Sequence, residues 1–416
     1  MKPLFFELLV FCALITASIH AEEAEKARSA DAFVDSIGVN IHLGYSDTVY
    51  HKFDEIVKPR LLEAGIRNVR DGLRADRKDV IEKLNTLAES GIRSDLLVNP
   101  KEAVALIKAL KKSVRTVEGR NEPDHGQGWE AAARDENKAL FAAVKGDAET
   151  KDIPVIVSGM ANTRDSAVKL AASGMSAESL DFGNMHSYPG GLNPVSGGWG
   201  IPLTKAIENE RKVCGEKPII CTESGYHNRL EEKGHPGVSE AAAAKYLPRL
   251  FFTYFNRGIT RTFSYEFIDG KPDPKNEDIE RHFGMLHNDG SPKPVFTAVK
   301  NMIALLKDPG DAFEAKTLDY SLSGETKNVE HALLQKRDGR FYLVLWLEVV
   351  SFDTKAKQDL AVAAQEVVVK FKTPVVKATP YRPSSSVVPD ATAIAPKEMK
   401  VSVPDEVLVI EVFTEK

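Results

Sequence analysis

Only three cysteines occur in this chain, and one of them, Cys12, lies in an apolar N-terminal stretch, so no disulfide framework can hold the protein together. Charge of one sign is missing too. With 60 acidic against 55 basic side chains and a net charge of −5, the chain lacks the basic surface that a nucleic acid would need. Past the N-terminal stretch, no apolar run approaches the roughly 20 residues that cross a bilayer. There is no HExxH, no CxxC and no acidic calcium loop, so no catalytic metal is implied, and no other cofactor is called for. No GxGxxG follows the first strand-like segment, which removes the usual sign of a dinucleotide fold, and no internal repeat is present.

What is present begins with MKPLFFELLVFCALITASIHA. Lys2, the apolar stretch from Leu4 to Ile15 and a small-residue end at Ala21 resemble a secretory signal over residues 1–21. Glu7 interrupts the stretch, so a buried or interfacial N-terminal helix stands as the alternative. The bulky Phe11 before Cys12 argues against lipid attachment. The mature chain is expected to be exported, secreted or periplasmic, with no membrane contact after cleavage.

Apolar runs followed by helical periodicity recur eight times between Ser36 and Leu306. The predicted strands are Ile37–Leu43, Ile66–Arg70, Ile92–Val98, Val114–Gly119, Ile153–Ser158, Leu180–His186, Pro218–Thr222 and Arg261–Phe267. Between them lie amphipathic stretches such as RKDVIEKLNTLAESG, and several end in a glycine, as at Gly65, Gly91 and Gly258, where a left-handed residue closes a helix. Strict alternation implies parallel strands with helical crossovers, and eight units favour a closed (β/α)8 TIM barrel over an open sheet. Cys214 and Cys221 then fall toward opposite ends of the barrel, which predicts two separate buried thiols.

After KPVFTAVKNMIALLKDPGD the pattern changes to β-branched segments, VEHALLQ, RFYLVLWLEVV, QEVVVKFK and EVLVIEVF, divided by turn formers. The expected organisation is α/β: a barrel over 31–308, then a small sandwich-like β domain over 311–416, with Trp346 a core residue and not a ligand platform. TPYRPSSSVVPDATAIAP reads as an ordered, turn-rich loop.

Two glutamates fall at strand ends, Glu122 in VEGRNEPD after the fourth strand and Glu223 in IICTESG after the seventh. In a barrel of parallel strands that end faces substrate. Two carboxyl groups there fit glycosidic chemistry, in which one protonates the leaving oxygen and the other attacks, or activates water, at the anomeric carbon. The pairing resembles the retaining (β/α)8-barrel glycoside hydrolases of clan GH-A, among them cellulase-like and xylosidase-like families. An Asn-Glu pair there ends strand four and a lone Glu ends strand seven. The resemblance implies that Glu122 is the general acid and base, Glu223 the nucleophile, and Asn121 the partner of a sugar hydroxyl beside the reacting carbon.

Arg70, ending the second strand, is placed to hold Glu223 ionised, with a structural salt bridge to Asp71 or Asp76 as the equal alternative. His186 and Tyr188 in NMHSYPGG resemble a histidine–tyrosine pair of the clan, Tyr188 donating to Glu223 and His186 touching sugar or acid. A histidine bonded only to backbone is the plain alternative. His42 in GVNIHLG is assigned to the innermost sugar subsite.

The chain departs from the clan at the eighth strand, reading TFSYEFID where many members carry a tryptophan; Tyr265 then serves as the stacking platform, and Glu266 binds a hydroxyl or pairs with a base. Trp129 and Trp199 are subsite walls or packing anchors for their loops, and the glycine-rich PGGLNPVSGGWGIP shapes the cleft. The expectation is an exported retaining glycosidase acting on a β-linked oligo- or polysaccharide. Three rivals stand: transfer of the glycosyl unit to another sugar, a carbohydrate-binding barrel without catalysis, and a metal site built from His42, His186 and His227.

Overall fold

The computed structural model describes residues 24–110, 112–197, 200–231 and 234–415. The expected signal over 1–21 and Trp199 lie outside the described residues.

Eight strands make one parallel sheet: Ile37–Asn40, Asn68–Gly72, Arg93–Leu97, Val114–Glu118, Val155–Ile156, Gly183–His186, Ile219–Ser224 and Ile259–Ser264. They neighbour one another in sequence order, with the eighth against the first. A parallel bridge between Ile156 and Phe182 joins the fifth strand to the sixth and closes the ring. The fold is the expected (β/α)8 barrel, with a helix after each strand. Gly65, Gly91 and Gly258 follow helices with φ of 72°, 83° and 76°, the left-handed conformation that glycine adopts without a Cβ clash.

Several segments differ from expectation: the first and sixth strands are shorter, the second is shifted, and the seventh runs through Glu223 to Ser224. The fifth strand has two residues instead of six. The eighth begins earlier, at Ile259, and ends at Ser264, before the cis Tyr265–Glu266 peptide. HKFDEIVKPRLLEAG contains a π-helical turn over Phe53–Val57, and its α-helix starts only at Lys58–Ala64, because Pro59 has no N–H to continue an earlier ladder.

Beyond the last barrel helix, Pro294–Leu306, antiparallel strands form a three-stranded sheet and five strands of a six-stranded one. Phe341–Leu347 is the inner strand that explains both packings. Tyr342, Val344 and Trp346 face the barrel's apolar cluster, while Phe341, Leu343, Leu345 and Leu347 join Val367, Val369, Val401 and Val403 of the other sheet. Alternating residues point to opposite faces, so an unbroken apolar run marks a strand buried on both sides. Trp346 is fully buried, as expected, beside Phe252 of the long helix Glu240–Asn256.

Two short N-terminal strands, unforeseen in the sequence, join the C-terminal β structure: Arg28–Ser29 pairs with Val329–Gln335, and Glu25–Lys26 with Thr317–Leu318. Cys214 and Cys221 are separate, free and buried, and burial pushes both thiols up to about 12. No helix among the described residues is long and apolar enough to cross a membrane.

Candidate active site

Arg70, the middle residue of the second strand, organises the barrel mouth. Its Nε and Nη2 donate to the two oxygens of Glu118 at 2.9 and 3.0 Å, and Nη2 also reaches Asn121 Oδ1 at 2.8 Å. Nη1 donates to Glu223 Oε1 at 2.7 Å and to Asn40 Oδ1 at 3.2 Å. Five N–H groups thus make five bonds, the full capacity of a guanidinium. Burial alone would lower its pKa, but the Glu118 and Glu223 carboxylates outweigh burial and hold the charge firmly. Asp71 is not its partner; both Asp71 oxygens take backbone N–H groups, from Leu43 and Gly72, while Asp76 pairs with Arg74.

Glu223 owes its position to a β-bulge. Between Cys221 and Glu223 the seventh strand carries one residue more than the sixth, and Thr222 is the extra one. A bulge lets adjacent side chains escape strict alternation, so Thr222 bonds inside the barrel while Glu223 reaches the cavity. Arg70 holds one Glu223 oxygen and Tyr188 Oη donates to the other, each at 2.7 Å.

Glu122 lies four residues past the end of the fourth strand, at φ 43°, and its N–H donates to the Gly159 carbonyl at 3.0 Å. A left-handed conformation at a non-glycine residue costs on the order of 1–3 kcal/mol and persists where the surroundings enforce it. Its Oε1 lies 2.8 Å from His186 Nδ1, and its Oε2 is 3.2 Å from the exposed His125. Burial pushes Glu122 up, yet His186 and His125 outweigh it and hold the carboxyl below its ordinary range. His186 moves the opposite way: burial opposes its charge, but Glu223 and Glu122 raise it. Gly159 is required here, since a Cβ would stand 2.2 Å from the His186 ring. One oxygen of Glu122, one of Glu223 and one nitrogen of His186 all lie within 4.8 Å of one another.

These residues open onto a cavity of about 870 Å³, lined among others by Asn40, His42, Tyr45, Arg70, Asn121, Glu122, Tyr188, Glu223, Tyr265 and Glu280. Solved structures share this architecture. A family 39 glycoside hydrolase from the gut symbiont Bacteroides cellulosilyticus WH2 superposes with a TM-score of 0.65 at 17% identity, over 92% of this chain and 81% of that one. A glucosidase from Croceicoccus marinus superposes with a TM-score of 0.62 at 11% identity, over 94% of this chain and 98% of that one. This chain has the fold of the barrel glycoside hydrolases. No protein-family model and no curated protein matches it.

Within this glycoside hydrolase fold, the residues expected at the site separate into those brought together and those left out. Arg70, Asn121, Glu122, His186, Tyr188 and Glu223 form one bonded group. His42 lines the cavity with Nε2 3.0 Å from Glu266 Oε2 and its ring stacked on Tyr45 at 4.6 Å. Glu266 is buried and pairs with that base; burial pushes its carboxyl up against the opposing pull of His42. Tyr265 lines the cavity and donates to Glu280 Oε2 at 3.1 Å. Trp129 starts the helix Trp129–Gly146 and packs half-buried against the barrel's apolar cluster, away from the residues lining the cavity.

His227 does not join His42 and His186. Its ring packs between His235 and Phe283, and among the described residues the side chains close enough together to share an ion are Glu122, His186 and Glu223. Glu118, Asn184 and Thr222 were missed in the sequence. The available signal was a polar residue at an inward strand position: Thr116 and Glu118 share one face of the fourth strand, and Asn184 and His186 one face of the sixth.

Proposed function

We propose that this protein is a retaining glycoside hydrolase that cleaves β-linked oligo- or polysaccharides by double displacement. The observation that carries the reading is the approach of Glu122 and Glu223 within 4.8 Å across the cavity, with Glu223 gripped by Arg70 and Tyr188. Retaining enzymes place their carboxyl groups about 5–5.5 Å apart, whereas inverting enzymes leave about 6.5–9.5 Å for a water.

Glu223, with one donor on each oxygen, is held in place and attacks the anomeric carbon. Glu122 gives its proton to the departing oxygen. A water then enters, Glu122 takes a proton from it, and the water oxygen displaces Glu223 to restore the anomeric configuration. Asn121, fixed by Arg70, offers its amide to the hydroxyl next to the reacting carbon. His42 and Tyr265 form the wall of the innermost subsite, with Glu266 orienting His42. Entry of a sugar removes solvent from Glu122 and strengthens the burial that raises its pKa, which favours the protonated acid. The N-terminal 21 residues direct the protein to an exported location where such glycans are met.

The test is hydrolysis of β-linked polysaccharides and aryl glycosides by the wild type, Glu122→Ala and Glu223→Ala, with azide rescue and NMR of the products. Retained configuration, a β-glycosyl azide from Glu122→Ala and an α-glycosyl azide from Glu223→Ala are expected. Normal turnover by either variant ends the two-carboxylate mechanism.

A further inference from the structure

Behind the two glutamates runs a chain of buried hydrogen bonds whose directions can be worked out atom by atom. Asn184 Nδ2 contacts the Val157 carbonyl at 2.9 Å and Glu118 Oε1 at 3.0 Å. Both are acceptors, so that atom is the NH2 group and Oδ1 is the carbonyl. Thr222 Oγ1 lies 2.8 Å from Asn184 Oδ1, so the threonine hydroxyl donates there. Its other neighbours are Glu118 Oε1 at 3.5 Å, also an acceptor, and His186 Nε2 at 3.0 Å; with the single hydroxyl hydrogen turned to the acceptors, His186 Nε2 must be the donor to Thr222. The Nε2–H form of His186 is thereby fixed. Its Nδ1, 2.8 Å from Glu122 Oε1, makes a hydrogen bond only if one proton lies between them. That proton gives either imidazolium beside carboxylate or imidazole beside carboxylic acid.

We infer that Thr222 is a positioning residue that locks His186 as the Nε2–H form, so that Glu122 and His186 together keep the one proton that the acid step delivers. This deepens the glycosidase reading and rests on it for the reaction itself. In the first step the O–H bond of Glu122 breaks as one forms on the leaving oxygen, while the glycosidic C–O bond breaks and the bond to Glu223 forms. A carboxylate then faces the bare Nδ1 of neutral His186. Repulsion between these lone pairs makes Glu122 a stronger base, and the proton taken from water in the second step restores the pair.

The groups facing His186 are consistent with one retained proton. Glu122 is on the loop after the fourth strand, Glu223 Oε2 is 3.5 Å away on the seventh, and Arg70 of the second strand opposes the charge. Glu118 of the fourth strand meets the chain through Asn184, and Glu210 lines the small space behind the ring together with Asn184 and Met185.

The experiment compares wild type with Thr222→Val, which keeps the shape and loses the hydroxyl, and Thr222→Ser, which restores it. In histidine-labelled protein, long-range 1H–15N spectra report which ring nitrogen carries hydrogen, with the His186 signal assigned by its absence in His186→Asn. Nε2 protonated in wild type and Thr222→Ser, and unprotonated in Thr222→Val, is expected. For kcat/KM, the basic limb of the pH profile should move about one unit or more to lower pH in Thr222→Val and return in Thr222→Ser. An Nδ1–H wild-type ring, an unchanged ring in Thr222→Val, or a uniform drop in rate with the basic limb in place would each overturn the inference. Should no glycoside be cleaved, the glycosidase reading fails by itself, and the spectra alone decide whether Thr222 sets the ring.

Discussion

The upper interior of the barrel and the interior of the C-terminal sandwich are both closed to water, yet they are built from opposite materials. In the sandwich, Leu333, Leu343, Leu345, Val367, Val369 and Ile410 meet in one buried apolar cluster. In the barrel, a small apolar plug of Ile156, Ile220 and Phe263 lies with a charged layer of Arg70, Glu118 and Asp95, where burial and then Glu118 push Asp95 up to about 7. An apolar interior stabilises by the area it removes from water, about 25 cal/mol per Å². A charged interior gains little net stability, because desolvation offsets attraction, but losing one member strands the others. The sandwich should therefore respond to substitution through volume, and the barrel layer through charge and catalysis.

The sharpest way to break this comparison is Arg70→Met, which leaves Glu118 and Glu223 buried without their cation. Denaturant unfolding should show a loss of about 3–5 kcal/mol, with turnover reduced by roughly a thousandfold or more in whatever folds. Wild-type stability and turnover would show that the charged layer is not interdependent. Next is Leu343→Ala on the sandwich side. It should lower stability by about 2–5 kcal/mol with kcat/KM of the folded protein unchanged, and a matching fall in activity would mean that the two interiors are coupled.

Tyr188→Phe sharpens the contrast from the other direction. Loss of the donor to Glu223 Oε2 should reduce kcat/KM by roughly 10–100-fold while thermal stability barely moves.

The smallest effect concerns the strap between the N-terminus and the sandwich, where His331 Nε2 lies 3.0 Å from Glu25. The bond to Glu25 raises His331 above its ordinary 6.5, so its contribution is full below that pH and is lost as pH rises through the raised value. Burial pushes Glu25 up, but His331 and Tyr320 bring it below 4.5, so its contribution is full above 4.5 and is lost as pH falls through the lowered value. Both are present between 4.5 and 6.5. Glu25→Gln should lower Tm more near pH 5.5 than near pH 9, by an amount worth less than about 1 kcal/mol for side chains this exposed. An equal drop at both pH values would remove the ion pair from the account.

The barrel was legible because the chain alternates apolar strand and amphipathic helix eight times, a pattern set by local periodicity alone. Glu122 and Glu223 were legible because each closes such an apolar run. Tyr188 was legible because it lies two residues past His186. Glu118 and Thr222 were not, since a buried polar residue within an apolar strand announces no partner, and its partners come from strands scores of residues away. Nor could the sequence foretell that Trp129 packs against the barrel core, that Arg28–Ser29 extends the six-stranded C-terminal sheet, or that Glu25–Lys26 pairs with Thr317–Leu318.

The sequence by itself determined the strand and helix order, the doubly buried strand Phe341–Leu347 and the positions of two carboxylates at one end of a barrel, because these depend on periodicity within short stretches. Only the tertiary structure decided that Arg70 divides its five hydrogen bonds among Glu118, Asn40, Asn121 and Glu223, that a bulge frees Thr222 to meet His186, and that Glu122 and Glu223 come within 4.8 Å. Those facts depend on the register and closure of the whole ring, which no local stretch of chain encodes.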